Sequence, residues 1–169
     1  MISKNTKYRL KEGEKMSANI SDDIKNAIIE IYEKENNLSR LFMFENIPPK
    51  RLENAIKSYA LAIGNDETII FLFDDTFFGS GKDGFILTAK CLYYRNYMEK
   101  ASSVGVADII DMDIKSVKLN QKVIVKTSAR ELEVSITSAP DKKALFNVLD
   151  QTVKFLKNPT YSTDCNSPL

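Results

Sequence analysis

The sequence predicts an α+β domain: two helices, then an antiparallel run of strands, then a closing helix. Three observations support this. Apolar residues recur at helical spacing before Gly64 and again after Pro140. Between Glu67 and Thr137 the pattern changes to short apolar or alternating runs broken by turn-forming residues. The chain, 169 residues and 43% hydrophobic, suits one core with appended segments.

The elements follow in order. Residues 1–19 are polar and without period, which reads as a disordered tail; Met16 within it offers a second translation start. A helical segment spans 20–64. Its first helix starts near Ser21, with Asp22 and Asp23 suiting the positive end of the helix dipole. Ile20, Ile24, Ala27, Ile28 and Ile31 share one face, and Asn36-Asn37 ends it. Leu38 to Ile47 is dense in apolar residues and reads as a short packed helix. Pro49 opens the next helix, because a proline at the first position loses no helical hydrogen bond. Leu52, Ala55, Ile56, Tyr59 and Ile63 form its stripe, and Gly64 ends it.

The β-rich domain spans 65–157. Strands are expected over 67–74, 84–88, 91–96, 109–119, 122–127 and 131–137. In Glu131-Leu132-Glu133-Val134-Ser135-Ile136 apolar and polar residues alternate, as a half-solvated antiparallel strand requires. A last helix begins near Pro140, capped by Ser138 or Ala139, and Asn158-Pro159 stops it. Residues 158–169 read as a second tail.

Composition excludes several chemistries. There is no histidine, which removes Ser-His-Asp and Cys-His catalysis and histidine-ligated metals. Two cysteines without a Cys-x-x-Cys pair make a zinc site a poor fit. Cys91, in a strand, is expected to be a buried thiol, and Cys165 an exposed one on the tail. Lys+Arg of 24 against Asp+Glu of 23 gives a net charge of +1, so no global field draws nucleic acid or anionic lipid. No apolar run approaches the ~18 residues that span a bilayer. The first residues lack the apolar stretch of a signal peptide, so a cytoplasmic location is the expectation.

Gly79-Ser80-Gly81-Lys82-Asp83-Gly84 raises the question of a phosphate-binding loop. The nucleotide-binding pattern wants glycine at 76 and a hydroxyl at 83, where this chain has Thr76 and Asp83. It must also open a helix, whereas Phe85-Ile86-Leu87-Thr88 reads as a strand. The dinucleotide version of G-x-G-x-x-G fails for the same reason. The protein-kinase version needs His-Arg-Asp and Asp-Phe-Gly, and neither tripeptide occurs. A hairpin connection explains the glycines, with a ligand contact at its tip as the functional alternative.

The run Asp74-Asp75-Thr76, Phe78-Gly79-Ser80, Lys82-Asp83-Gly84, Leu87-Thr88 and Leu92-Tyr93-Tyr94-Arg95-Asn96 resembles a stretch of bacterial PH-like (pleckstrin-homology, GRAM-like) domains. The resemblance covers about 67–157. It implies a partly open antiparallel barrel of about six or seven strands, capped by the C-terminal helix and preceded by the two N-terminal helices. It does not imply one function, since this fold hosts lipid binders, peptide binders and scaffolds. Lipid-binding members place a lysine on the first hairpin, matched here by Lys82. Their basic pair on the next strand has no counterpart, and their C-terminal-helix tryptophan is absent, leaving Phe155 or Phe146 for that volume.

Two roles follow as expectations. One is a non-enzymatic protein- or peptide-interaction module whose partner meets Leu41, Phe42 and Phe44. The other is peripheral binding of anionic lipid through Lys82, Lys90, Arg95, Lys115, Lys118, Lys122, Lys126 and Arg130. The last five of these form a run without an intervening acid, although alternate strand residues facing water would give the same pattern. Over 66–157 basic and acidic residues number 13 each. Asp108, Asp111 and Asp113 could hold a cation or act as acid and base, but strand-edge charge is the plainer reading. No enzyme activity, cofactor, metal or nucleic-acid partner is expected.

Overall fold

The computed structural model describes residues 20–117 and 120–158. Both tails, with Met16 and Cys165, and also Lys118 lie outside the described residues.

Helix α1 spans Asp22–Glu33, and its N-cap Ser21 accepts a hydrogen bond from the Ile24 amide. Strand β1 (Leu41–Met43) and a 3-10 turn (Phe44–Asn46) follow where the sequence suggested a short helix. The reason is periodicity. Leu41 and Met43 face the main core, while Phe42 faces the opposite side of the sheet. That period of two suits a strand, and the run is too short to show a helical one.

Helix α2 (Pro49–Tyr59) starts on its proline but ends five residues before Gly64. Beyond Tyr59 the chain turns through an Ile63 N–H bond to Ala60 O. This brings Glu67 back to accept from the Gly64 amide, the Thr88 hydroxyl and the Tyr93 hydroxyl.

Strands β2 (Ile69–Asp74), β3 (Gly84–Thr88), β4 (Cys91–Arg95) and β5 (Ser102–Gly105) join β1 in a five-stranded antiparallel sheet, ordered β1-β2-β3-β4-β5. Every residue of β2 and β3 is buried, because helix α2 covers one face of the sheet and the main core the other. β5 reads Ser-Ser-Val-Gly, has no strand signal of its own, and is held by its ladder to β4. Cys91, at the start of β4, is half-buried, which corrects the expectation of an enclosed thiol.

Strands β6 (Asp111–Val117), β7 (Asn120–Lys126) and β8 (Glu131–Ser135) form a three-stranded antiparallel sheet. Helix α3 (Lys142–Lys157) follows. Its cap is Asp141, whose carboxylate accepts from the Ala144 amide, rather than Ser138 or Ala139. Leu145, Val148, Leu149, Val153 and Phe155 bury this helix against residues of both sheets and Ile28 of α1.

The architecture is therefore α+β with two antiparallel sheets and a C-terminal helix, and the sheets do not close into a barrel. Asn96 ties them together. Its buried amide donates to Glu133 O at 2.9 Å and accepts from the Ser135 amide at 2.8 Å, taking the place of a ladder partner on β8. Among the described residues no helix is long and apolar enough to cross a membrane.

Candidate functional site

The glycine loop is a strand-to-strand connection. β2 enters it, β3 leaves it, and Asp74 pairs with Gly84 across its base. Gly84 is required there: at φ +127° a Cβ would sit 2.0 Å from Phe73 O. No helix follows, so the loop has no helix dipole behind it.

The loop is held from one side by cationic and polar side chains. Arg40 donates to the carbonyls of Asp74, Thr76 and Phe77. From α2, Arg51 Nε donates to Gly79 O at 2.9 Å, Asn54 to Ser80 O at 2.8 Å, and Ser58 Oγ to Lys82 O at 2.7 Å. Gly81 lies against the Arg51 backbone, where a Cβ would meet Arg51 O at 2.7 Å.

Beneath this brace sits a charged cluster built around the wholly buried Asp74. Asp74 Oδ1 accepts from the Thr76 amide and hydroxyl, and its Oδ2 lies 3.4 Å from Arg51 Nε. That N–H points at Gly79 O, so Oδ2 receives the charge but no hydrogen bond. Asp83 stands likewise 3.3 Å from Arg95 Nε, while Arg95 Nη1 donates to Ser58 Oγ. Burial raises the Asp83 carboxyl above its ordinary value; Arg95 opposes this, and Asp75 and Asp74 add to it. The Tyr59 hydroxyl is buried without a hydrogen-bond partner and is pushed well up by burial, then by Asp74 and Asp83. The cluster fixes the loop, with Asp74 wholly buried and Arg51 and Arg95 each about one-third exposed.

Outside the brace the loop turns its apolar residues to water. Phe77 is 83% and Phe78 92% exposed, their rings edge-to-face at 4.8 Å. The β4–β5 turn does the same with Tyr97 (78%) and Met98 (82%). Because β3 runs antiparallel to both β2 and β4, the two turns emerge from the same end of the sheet. Their bases are about 10 Å apart at ordinary strand spacing. Together the two tips make an apolar rim, with exposed Lys82 and Lys100 beside it.

The residues singled out in the sequence do not assemble into one site. Lys82 lies on the rim and forms no ion pair with a described residue. Lys90 pairs with Asp66 at the other end of the sheet. Arg95 belongs to the charged cluster. Three residues of the basic run meet acids across the sheet: Lys115 with Glu131, Lys122 with Glu133, and Lys126 with Asp111. Arg130 is an exposed turn residue. Leu41 is buried, Phe42 lies under the Arg51 guanidinium, and Phe44 lies under Lys25, so this stretch faces the interior. Asp113 accepts from the Ile114 amide on the β6 edge. Among the described residues, no three His, Cys, Asp or Glu stand close enough to hold a metal ion.

The rim itself went unnoticed in the sequence, although one signal was present. Phe77-Phe78 lies outside both flanking strands, next to glycine, where no core position calls for it. No family model matches the chain, and no curated protein matches it.

Proposed function

We propose that the chain is a non-enzymatic docking module on an open PH-like scaffold, and that its docking surface is the aromatic rim. The observation that carries this reading is the pairing of exposure with rigidity. Four large apolar side chains stand in water on two turns, and the first turn is pinned by Arg40, Arg51, Asn54 and Ser58. Isolated exposed apolar residues need no explanation, but two exposed apolar pairs on neighbouring turns at one end of a sheet are the kind of patch that marks an interaction surface. Aromatic residues and methionine are the types enriched where partners meet. A braced loop loses little conformational freedom on binding, so more of the contact energy appears as affinity.

The two sheets, the C-terminal helix and the hairpin motif support the PH-like assignment. Asp74, Asp83, Arg51 and Arg95 are engaged in structural pairs beneath the loop, which supports docking over catalysis at this end of the sheet. The contact surface moves from Leu41, Phe42 and Phe44 to Phe77, Phe78, Tyr97 and Met98.

The test is mobility of the full chain, fluorescently tagged, in cells that make it naturally. The wild type should diffuse more slowly than its mass alone requires, and Phe77→Ser/Phe78→Ser should restore free diffusion. Equal mobility of the two would overturn the reading.

A further inference from the structure

We infer that the occupant of the rim is a second copy of this chain, docked about a two-fold axis; this rests on the rim being the docking surface. An axis between the two turns sets the β2–β3 turn of one copy opposite the β4–β5 turn of the other. Phe77 and Phe78 then meet Tyr97 and Met98 in both halves of the contact, because a two-fold interface repeats every pairing.

Charge and area both point to a copy. The rim carries both signs: Lys82 on the first turn, Glu99 and Lys100 on the second, and Asp75 at the base of the first. Glu99 accepts from the Asn96 side-chain amide and Asp75 from the Ser138 amide, both neutral donors. A strongly one-signed partner would meet a like charge here, whereas a second copy sets Lys82 opposite Glu99 twice. A net charge of +1 leaves little repulsion between copies. The four apolar residues are 78–92% exposed, so at about 200 Å² each the rim offers about 650 Å² per copy. Two rims give about 1,300 Å², at the lower end of the roughly 1,200–2,000 Å² that specific interfaces bury. An interface of that size predicts a concentration-dependent dimer with a Kd of about 1–100 μM.

Sedimentation velocity of the full chain from about 1 to 300 μM, a span that brackets this Kd, tests the inference. The wild type should pass from monomer to dimer across that range. Phe77→Ser/Phe78→Ser should weaken dimerisation about tenfold or more, given the apolar area withdrawn. Lys82→Glu and Glu99→Lys should each weaken it several-fold, by placing like charges opposite one another. An equimolar mixture of these two variants should regain the dimer, since each then meets the opposite charge. Glu99→Lys also gives up the Asn96 bond, and the regained dimer shows that the variant folds. Lys126→Gln, far from the rim, should leave the dimer unchanged. A wild type that stays monomeric, a Phe77→Ser/Phe78→Ser variant that dimerises equally well, or a mixture no tighter than either variant alone overturns the inference. Rim-dependent slow diffusion in cells combined with a monomeric wild type in solution would assign the rim to a different partner and reject the second copy alone.

Discussion

Arg51→Met is the most informative single change, because Arg51 connects the charged cluster to the displayed loop. Its guanidinium stands 3.4 Å from the wholly buried Asp74 carboxylate and donates to Gly79 O. Removing one partner of a buried ion pair costs about 3–5 kcal/mol. A third of the Arg51 side chain is exposed, and solvent screening brings that figure toward about 2 kcal/mol. The lost charged bond to Gly79 O adds about 1 kcal/mol. Methionine keeps the apolar stem beside Phe42, so little packing is lost. The expected loss is about 3 kcal/mol. With a urea slope near 2 kcal/mol/M, the midpoint should fall by about 1.5 M with the slope unchanged. In an Asp74→Asn background the same change should cost clearly less, since the buried charge is gone. A loss below about 0.5 kcal/mol would place Arg51 among ordinary surface residues and refute the brace.

Asn96→Ala strips two backbone groups of β8 of their partner and should cost about 2–4 kcal/mol in urea unfolding. A wild-type-like midpoint would mean the two sheets are joined by packing alone. Gly84→Ala forces a Cβ against Phe73 O and should cost more than about 3 kcal/mol, or abolish soluble expression. Asp83 titrates above its ordinary value in the fold, so its favourable contribution is complete below its unfolded pKa and is lost as pH rises through its folded pKa. Relative to Asp83→Asn, the wild type should therefore lose stability as pH rises above the ordinary aspartate range; parallel pH–stability curves would contradict this.

Much of the fold was legible because it rests on local pattern. Ser21 and Pro49 mark helix starts by chemistry that acts within one turn, and Glu131 to Ser135 alternates because one face of β8 meets water. What escaped depends on distant contacts. β5 exists through its ladder to β4, and β1 through its ladder to β2; neither Ser-Ser-Val-Gly nor Leu-Phe-Met specifies a strand alone. The basic run misled for a related reason. Along the chain no acid interrupts it, yet Glu131, Glu133 and Asp111 reach it across the sheet. The rim was hidden because its two halves, 77–78 and 97–98, come to the same end of the sheet only once β3 places β2 and β4 in parallel.

In the proposed function Phe77 and Phe78 serve contact and not the fold. One sample decides this: Phe77→Ser/Phe78→Ser, assayed for thermal unfolding midpoint and for docking in the same preparation. An unchanged or slightly raised midpoint with docking abolished is the predicted outcome. A midpoint lowered by several degrees, or docking that survives intact, would contradict it.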